Sequence, residues 1–111
     1  MPILLINPRQ PASTKQVFSV LAQGCSSELG GVTADSRLRS NDLISPALRV
    51  APAIGDILQS LSAIETATAF GMSGSGPSCF ALFDRMSDCR SAATRLAADN
   101  PAWWIASGRL L

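Results

Sequence analysis

The sequence contains no histidine and only three cysteines, Cys25, Cys79 and Cys89, which share no close spacing. Zinc and similar ions need converging thiolate or imidazole ligands, and this set does not provide them. Cys79 falls in an apolar run and Cys89 on the apolar side of a predicted helix, so both are expected to be small core residues. We therefore predict no metal site, and reduced cysteines are typical of an intracellular protein.

Charged residues and long apolar runs are also scarce. Charged residues make up 15% of the chain and the formal net charge is +1, with no basic cluster of the kind that binds nucleic acid. No apolar run is long enough to cross a bilayer, and the apolar start at residues 3–6 is too short for a signal peptide. We expect a cytoplasmic protein with no nucleic-acid or membrane partner. The 111 residues, 47% of them hydrophobic, suit one compact domain.

A glycine-rich stretch stands out against this background. Residues 71–78 read GMSGSGPS and are followed at once by the apolar run CFALF. Glycine allows positive φ angles and close backbone approach, and successive amides with serine hydroxyls suit an anion, so Ser73, Gly74, Ser75 and Gly76 are candidate phosphate-binding residues. The alternative is a hairpin of two strands, 66–70 and 79–83, whose glycines serve only the turn. Both interpretations stay open, because neither a Walker-type ending nor the dinucleotide spacing is present.

The first third of the chain predicts a strand, a helix and a loop. Residues 3–6 form an apolar run of strand length, which Asn7 and Pro8 end. Residues 13–16, STKQ, have the form of a capping box, and the apolar residues after them recur at helical spacing. Thr14 thus lies at a helix start, where it could cap the helix or meet a polar ligand. Residues 23–40 are predicted to be a loop without functional residues.

The rest of the chain alternates helices and strands. Asn41 and Asp42 open a helical region, and either residue makes a good N-cap. Apolar residues at i, i+3, i+4 and i+7 then indicate a buried helix face, formed by Ile54, Ile57, Leu58 and Leu61. After the two strands around the glycine loop, Ser87 is predicted to cap a helix that ends at residues 99–101. The apolar side of this helix is predicted to consist of Cys89, Ala92, Ala93, Leu96 and Ala97.

Residues 102–106 are predicted to form the last strand, with one of its two tryptophans buried and the other on the far face. The order strand, helix, helices, strand, strand, helix, strand predicts an α+β fold. Helices collected on one face of an antiparallel sheet give a two-layer sandwich, and a split βαβ topology of the ferredoxin-like type fits this order. Such a fold hosts many functions and does not identify one.

Four stretches resemble one family of enzymes. The string GMSGSGPSCFALF is similar to the third motif of the GHMP kinases. Within that superfamily, LLINPRQPASTKQVF, SNDLISPALRVAPAIGDIL and AWWIAS resemble segments of the 4-diphosphocytidyl-2-C-methyl-D-erythritol kinases. The resemblance covers nearly all of this chain but only the second half of such a kinase. It implies that residues 1–111 are a GHMP kinase C-terminal domain, expected to be inactive alone, since no stretch resembles the nucleotide-binding first domain.

The resemblance also implies a reaction and a division of roles. These kinases transfer the γ-phosphate of ATP to the 2-hydroxyl of 4-diphosphocytidyl-2-C-methyl-D-erythritol, with ATP and Mg²⁺ held mainly by an N-terminal domain that would be the partner of this chain. Ser73, Gly74, Ser75 and Gly76 would then form one wall of the cleft, and Thr14 would lie near the small-molecule substrate. Asn41 and Asp42 would support the helices beside the site, and no catalytic residue is expected here. The alternatives are a homoserine-kinase-like domain and a stand-alone ferredoxin-like ligand-binding module.

Overall fold

The computed structural model describes residues 1–9, 36–39, 44–73 and 77–109, apart from the side chains of Ser45 and Pro46. Its elements, in chain order, are β1 (Pro2–Asn7), α1 (Ile44–Val50), α2 (Ala53–Ser62), β2 (Ala67–Met72), β3 (Cys79–Phe83), α3 (Met86–Asp99) and β4 (Trp104–Arg109). The predicted helix after residue 13 lies outside the described residues. Within the described part, no helix combines the length and apolar character needed to cross a bilayer.

The four strands form one sheet in the order β2-β3-β1-β4. Every neighbouring pair is antiparallel, and β1 lies in the interior with Ile6 opposite both Cys79 of β3 and Ile105 of β4. Because β3 inserts between β1 and β2, the connection from β1 to β2 is the split βαβ unit that the element order predicts. The predicted α+β sandwich with an antiparallel sheet is confirmed.

One face of the sheet packs on the helices and builds the core. Alternation along the strands puts Leu4 and Ile6 of β1 on this face with Cys79, Ala81 and Phe83 of β3, and all five side chains are fully buried. The predicted face of α2 is also confirmed, since Ile54, Ile57, Leu58 and Leu61 are all buried. Sheet and helices therefore share a single apolar cluster.

The other face of the sheet carries apolar side chains that are only partly covered by the described residues. Ile3, Phe80 and Leu82 are half-buried there, while Leu5 is 37% exposed and Trp104 is 45% exposed. Trp103 instead packs partly buried against the core. Trp104 thus lies on the far face as predicted, whereas the prediction of a buried tryptophan in the strand is wrong, because Trp103 is only partly buried and precedes β4.

Three local predictions are wrong. Helix α3 begins at Met86, with Arg85 at the N-cap and no side-chain cap, so Ser87 lies inside the first turn and is not the capping residue. Ala97 is exposed, because at about 100° per residue it lies more than a quarter-turn from the line of Cys89, Ala92 and Leu96. The last strand also begins at Trp104 and continues to Arg109, later than the predicted range 102–106.

Candidate functional site

The glycine loop extends from a hairpin. Strands β2 and β3 pair as far as Met72 opposite Cys79, and the Ser73 amide then donates to the Ser78 carbonyl at 2.8 Å. This bond closes the base of the loop, with Ser73 exposed and Ser78 half-buried. Gly74, Ser75 and Gly76 lie outside the described residues. A strand on each side of the loop is confirmed, but β2 covers residues 67–72 and not the predicted 66–70, so Gly71 and Met72 belong to the strand. Anion binding by the loop stays a prediction.

The bond at the loop base changes what Ser73 can offer to a ligand. Its amide hydrogen is already donated to the Ser78 carbonyl, so among its donors the side-chain hydroxyl is the one left for an anion. The exposure of Ser73 places that hydroxyl within reach of solvent. Of the four predicted phosphate-binding residues, Ser73 therefore does not have a free amide to offer, and amide donation by Gly74, Ser75 and Gly76 stays a prediction.

Asn7, the last residue of β1, holds the other side of the loop base. Its Nδ2 donates to the Ser78 hydroxyl oxygen at 3.2 Å, and its Oδ1 accepts a hydrogen bond from the Arg9 amide at 2.7 Å. Arg9 has a φ angle of 57°, in the left-handed region that L residues adopt at a cost. One side chain thus both orients a serine beside the glycine loop and fixes the turn that leaves β1.

A short segment before α1 runs along the free edge of β2. Leu38 forms a parallel bridge with Phe70, in which the Arg39 amide donates to the Phe70 carbonyl at 2.8 Å and the Phe70 amide donates to the Arg37 carbonyl at 3.1 Å. The predicted loop 23–40 therefore contains, at its end, a segment that extends the sheet. Phe70 lies three positions before Ser73, so this pairing occurs close to the loop base.

The guanidinium of Arg37 fastens this segment to the end of helix α2. It donates to the carbonyl oxygens of Ser62 and Ile64 at 2.6 Å each, and to that of Ala67 at 3.1 Å. It also lies over the Phe70 ring, with 5.5 Å between the guanidinium carbon and the ring centroid. A cation suits this place because a helix C-terminus carries partial negative charge on its unpaired carbonyls.

Asn7 and Arg37 contribute to the loop base but are not among the site residues that the sequence predicts. The sequence pattern predicts only that Asn7 ends a strand and that residues 36–39 belong to a loop. A pattern in the sequence does indicate a strand in residues 36–39, because Arg37-Leu38-Arg39 alternates polar and apolar residues. No signal in the sequence reveals that Asn7 contacts Ser78, because the two residues are 71 positions apart.

Three further predicted site residues, Thr14, Asn41 and Asp42, lie outside the described residues, as Gly74, Ser75 and Gly76 do. Arg39 ends the described segment two positions before Asn41, and α1 begins at Ile44, two positions after Asp42. Their predicted contacts with substrate and helices stay predictions.

The described cysteines are core residues, as predicted. Cys79 and Cys89 are fully buried, with no disulfide to either. Burial raises the pKa of the Cys79 thiol to about 12, and it also raises the pKa of Cys89, with a smaller opposing effect from Arg90. Cys25 lies outside the described residues. Among the residues that are described, no group of three cysteine, aspartate or glutamate side chains converges as metal ligands would.

A cleft of about 670 Å³ lies between the end of α2 and helix α3. Its polar lining includes Ser60, Glu65, Thr66, Asp88, Arg95 and Asp99. Thr66 comes directly before β2, whereas the glycine loop comes directly after it, so a strand length of about 20 Å separates them. The cleft is therefore not part of the loop site.

Comparison with known proteins agrees with this architecture. A family described as GHMP kinases C terminal matches residues 28–101, which is more than half of the chain. A solved crystal structure of 4-(cytidine 5'-diphospho)-2C-methyl-D-erythritol kinase is similar to 96% of this chain with a TM-score of 0.62. At 21% sequence identity that likeness shows the shared fold, and it extends over 42% of the solved chain.

Relatives with closer sequences share one name. A 4-diphosphocytidyl-2-C-methyl-D-erythritol kinase of Sphingopyxis alaskensis is 44% identical over 99% of this chain, and one of Bradyrhizobium sp. is 36% identical over the same share. The chain spans 40% and 43% of the length of these two relatives. The family match, the shared fold and these sequences together show that the chain belongs to the GHMP kinases, in the C-terminal region of that family.

Proposed function

We propose that this chain acts as the C-terminal domain of a kinase that transfers the γ-phosphate of ATP to the 2-hydroxyl of 4-diphosphocytidyl-2-C-methyl-D-erythritol. The observation that carries the proposal is the match of 99% of the chain, at 44% identity, to a relative named for that substrate. The matched region includes the glycine loop and the segments on either side of it.

The proposal divides the work between two parts of a longer polypeptide. Phosphoryl transfer needs little covalent chemistry from the protein; it needs groups that position the reactants and neutralise charge on the transferred phosphate. ATP and Mg²⁺ would be held mainly by an N-terminal kinase domain such as the remaining length of the relatives could supply. This chain would contribute donors at the cleft wall, from Ser73, Gly74, Ser75 and Gly76.

The described loop base supports that role. Donors aimed at a developing charge are effective when they are held in place before the reaction, since no energy is then spent on reorganising them. Ser73 is joined to Ser78, and Ser78 to Asn7, so the residues at both ends of the glycine stretch are tied to the sheet. A glycine loop on such a base is better suited to hold a phosphate than one on an unbonded turn.

The apolar far face of the sheet supports the proposal that this chain packs against another domain. Leu5 and Trp104 are exposed beside half-buried Ile3, Phe80 and Leu82, and an apolar patch of this kind is typical of an interaction surface. This observation favours the kinase-domain proposal over a stand-alone ligand-binding module. The proposed use of ATP is also the reason to keep the cytoplasm as the proposed compartment.

The test is a chimera in which this chain replaces the matching 40% of the Sphingopyxis alaskensis relative. ADP release is measured with 4-diphosphocytidyl-2-C-methyl-D-erythritol and, in parallel, with homoserine. We expect turnover with the first substrate only, and none from the 111-residue chain alone. Turnover with homoserine would support the homoserine-kinase alternative, and turnover by the isolated chain would contradict the division of labour. A folded but inactive chimera would favour the stand-alone module.

A further inference from the structure

We propose that Arg37 is a positioning residue that fixes the loop-bearing end of β2 for phosphoryl transfer, an inference that rests on the proposed function. Arg37 is close to two segments that carry predicted site residues. Through its backbone it pairs with Phe70, three positions before Ser73, and its own chain reaches Asn41 four positions later. Its effect on the loop would be exerted through β2, whose Ala67 carbonyl accepts a hydrogen bond from its guanidinium.

The geometry explains why an arginine is needed. Three carbonyl oxygens, those of Ser62, Ile64 and Ala67, converge on one guanidinium at 2.6 to 3.1 Å. These oxygens belong to the last residue of α2, to the turn that follows it and to the first residue of β2, so the guanidinium joins the two elements across that turn. A planar group with several fixed donors can serve three acceptors at once, whereas a lysine ammonium is a compact charge on a flexible stem.

Phe70 links this fastening to the glycine loop. Its ring lies under the guanidinium, and its amide and carbonyl both bond to the segment that carries Arg37. The other edge of β2 is paired with β3. β2 is therefore paired along both edges in this region, with β3 on one side and residues 37–39 on the other. Loss of the guanidinium would remove its bonds to the carbonyls of Ser62, Ile64 and Ala67 and so release residues 37–39 from the turn before β2, while the backbone bonds of Phe70 to this segment would remain.

The expected consequence appears in kcat more than in KM for ATP. ATP would be bound mainly by the other domain, so a displaced loop would weaken stabilisation of the transferred phosphate rather than nucleotide binding. In the chimera we expect Arg37→Met to lower kcat about 10-fold or more while KM for ATP changes less than about 3-fold. The kcat of Arg37→Lys should lie between that of the original chimera and that of Arg37→Met, because lysine keeps the charge but lacks the planar group of donors. Arg90→Met, at an exposed arginine of α3, is the matched control and should leave both constants unchanged.

Hydrogen exchange on the 111-residue chain separates positioning from general stability. Arg37→Met should speed exchange of the Arg39 and Phe70 amides at least about 10-fold, with the β1–β4 amides unaffected, and Arg90→Met should change neither group. The inference is overturned if kcat is unchanged in Arg37→Met within an active chimera, or if amide exchange rises equally throughout the sheet. Local exchange at residues 39 and 70 together with a loss of kcat would support it. An inactive parent chimera would overturn the proposed function, and this inference with it.

Discussion

Asn7 offers a way to perturb the geometry of the loop base separately from its charge. Asn7→Ala removes two neutral hydrogen bonds, the half-buried one to the Ser78 hydroxyl at 3.2 Å and the exposed one from the Arg9 amide at 2.7 Å. Each such bond contributes about 0.5–1.5 kcal/mol, with the exposed bond at the low end, so the free energy of unfolding should fall by about 1–2 kcal/mol. For a domain of this size that corresponds to a Tm lower by roughly 5–15 °C.

A double-mutant cycle tests whether the loss comes from the Asn7 contact with Ser78. Urea unfolding is measured for the original chain, Asn7→Ala, Ser78→Ala and the double variant. We expect a coupling free energy of about 0.5–1.5 kcal/mol, because either single substitution removes the same bond. A coupling below about 0.3 kcal/mol would refute the reasoning, since the two side chains would then act independently.

Asn7→Asp is the complementary substitution, because it keeps both hydrogen bonds and adds a negative charge. A carboxylate still accepts from the Arg9 amide, and the Ser78 hydroxyl can rotate to donate to it, so stability should stay near that of the original chain. The new negative charge would repel a phosphate held by the loop. If the phosphate lay about 8 Å from the new carboxylate, the repulsion would be about 0.5–2 kcal/mol per unit charge, or about 2- to 30-fold in turnover by the chimera.

The salt dependence of turnover then distinguishes an electrostatic effect of the substitution from a distortion of the loop base. The deficit of Asn7→Asp should shrink as ionic strength rises from about 0.01 to 0.5 M, because screening weakens the repulsion. The deficit of Asn7→Ala should not depend on salt. If Asn7→Asp turns over substrate like the original chimera at low salt, the loop does not hold an anion near Ser78, and the proposed role of the loop is wrong.

Two further predictions concern the loop and the core. Gly76→Val in the chimera should lower turnover with Tm changed by only a few degrees, because a side chain there would block close backbone approach; Gly108→Val is the control, since a Cβ at Gly108 meets nothing within 4 Å. The buried thiol of Cys79 predicts alkaline instability. Its pKa is raised from 9.0 to about 12 in the folded chain, so the unfolded chain binds fewer protons between these values and stability falls by about 1.4 kcal/mol per pH unit. Cys79→Ala should flatten the decline in urea unfolding above pH 9, and an unchanged slope would show that the thiol is not the cause.

Helices and strands with a strong apolar period could be predicted from the sequence. The face of α2 follows from four apolar residues at helical spacing, and β3 has the predicted bounds because serine and proline precede it and a bend follows it. The start of β4 could not be predicted from the pair of tryptophans. The Trp103 amide donates to the Asn100 carbonyl at 3.0 Å, which keeps Trp103 in the turn after α3 and delays the strand by two residues.

The glycine loop could be recognised from the sequence, but the residues that hold it could not. Local composition determines which residues can form a tight loop, and GMSGSGPS shows this plainly. Its supports come from chain segments far away, since Asn7 is 71 positions from Ser78 and Arg37 is 27 positions from its acceptor at Ile64. Such pairs depend on which strands become neighbours in the sheet, and no local pattern in this sequence shows that order.

The freedom of glycine and the rigidity that phosphoryl transfer requires are opposing demands. Fixing the backbone of one residue costs about 1–2 kcal/mol, and glycine loses more freedom on ordering than other residues. A loop rich in glycine can thus approach a phosphate closely, yet it holds donors in place only if its ends do not move. Ser73 and Ser78 are bonded to each other, Asn7 ties one end to β1, and Phe70 with Arg37 ties the other to α2. The distant supports are therefore as necessary to the proposed site as the glycines, and substitutions there should affect turnover without touching a ligand.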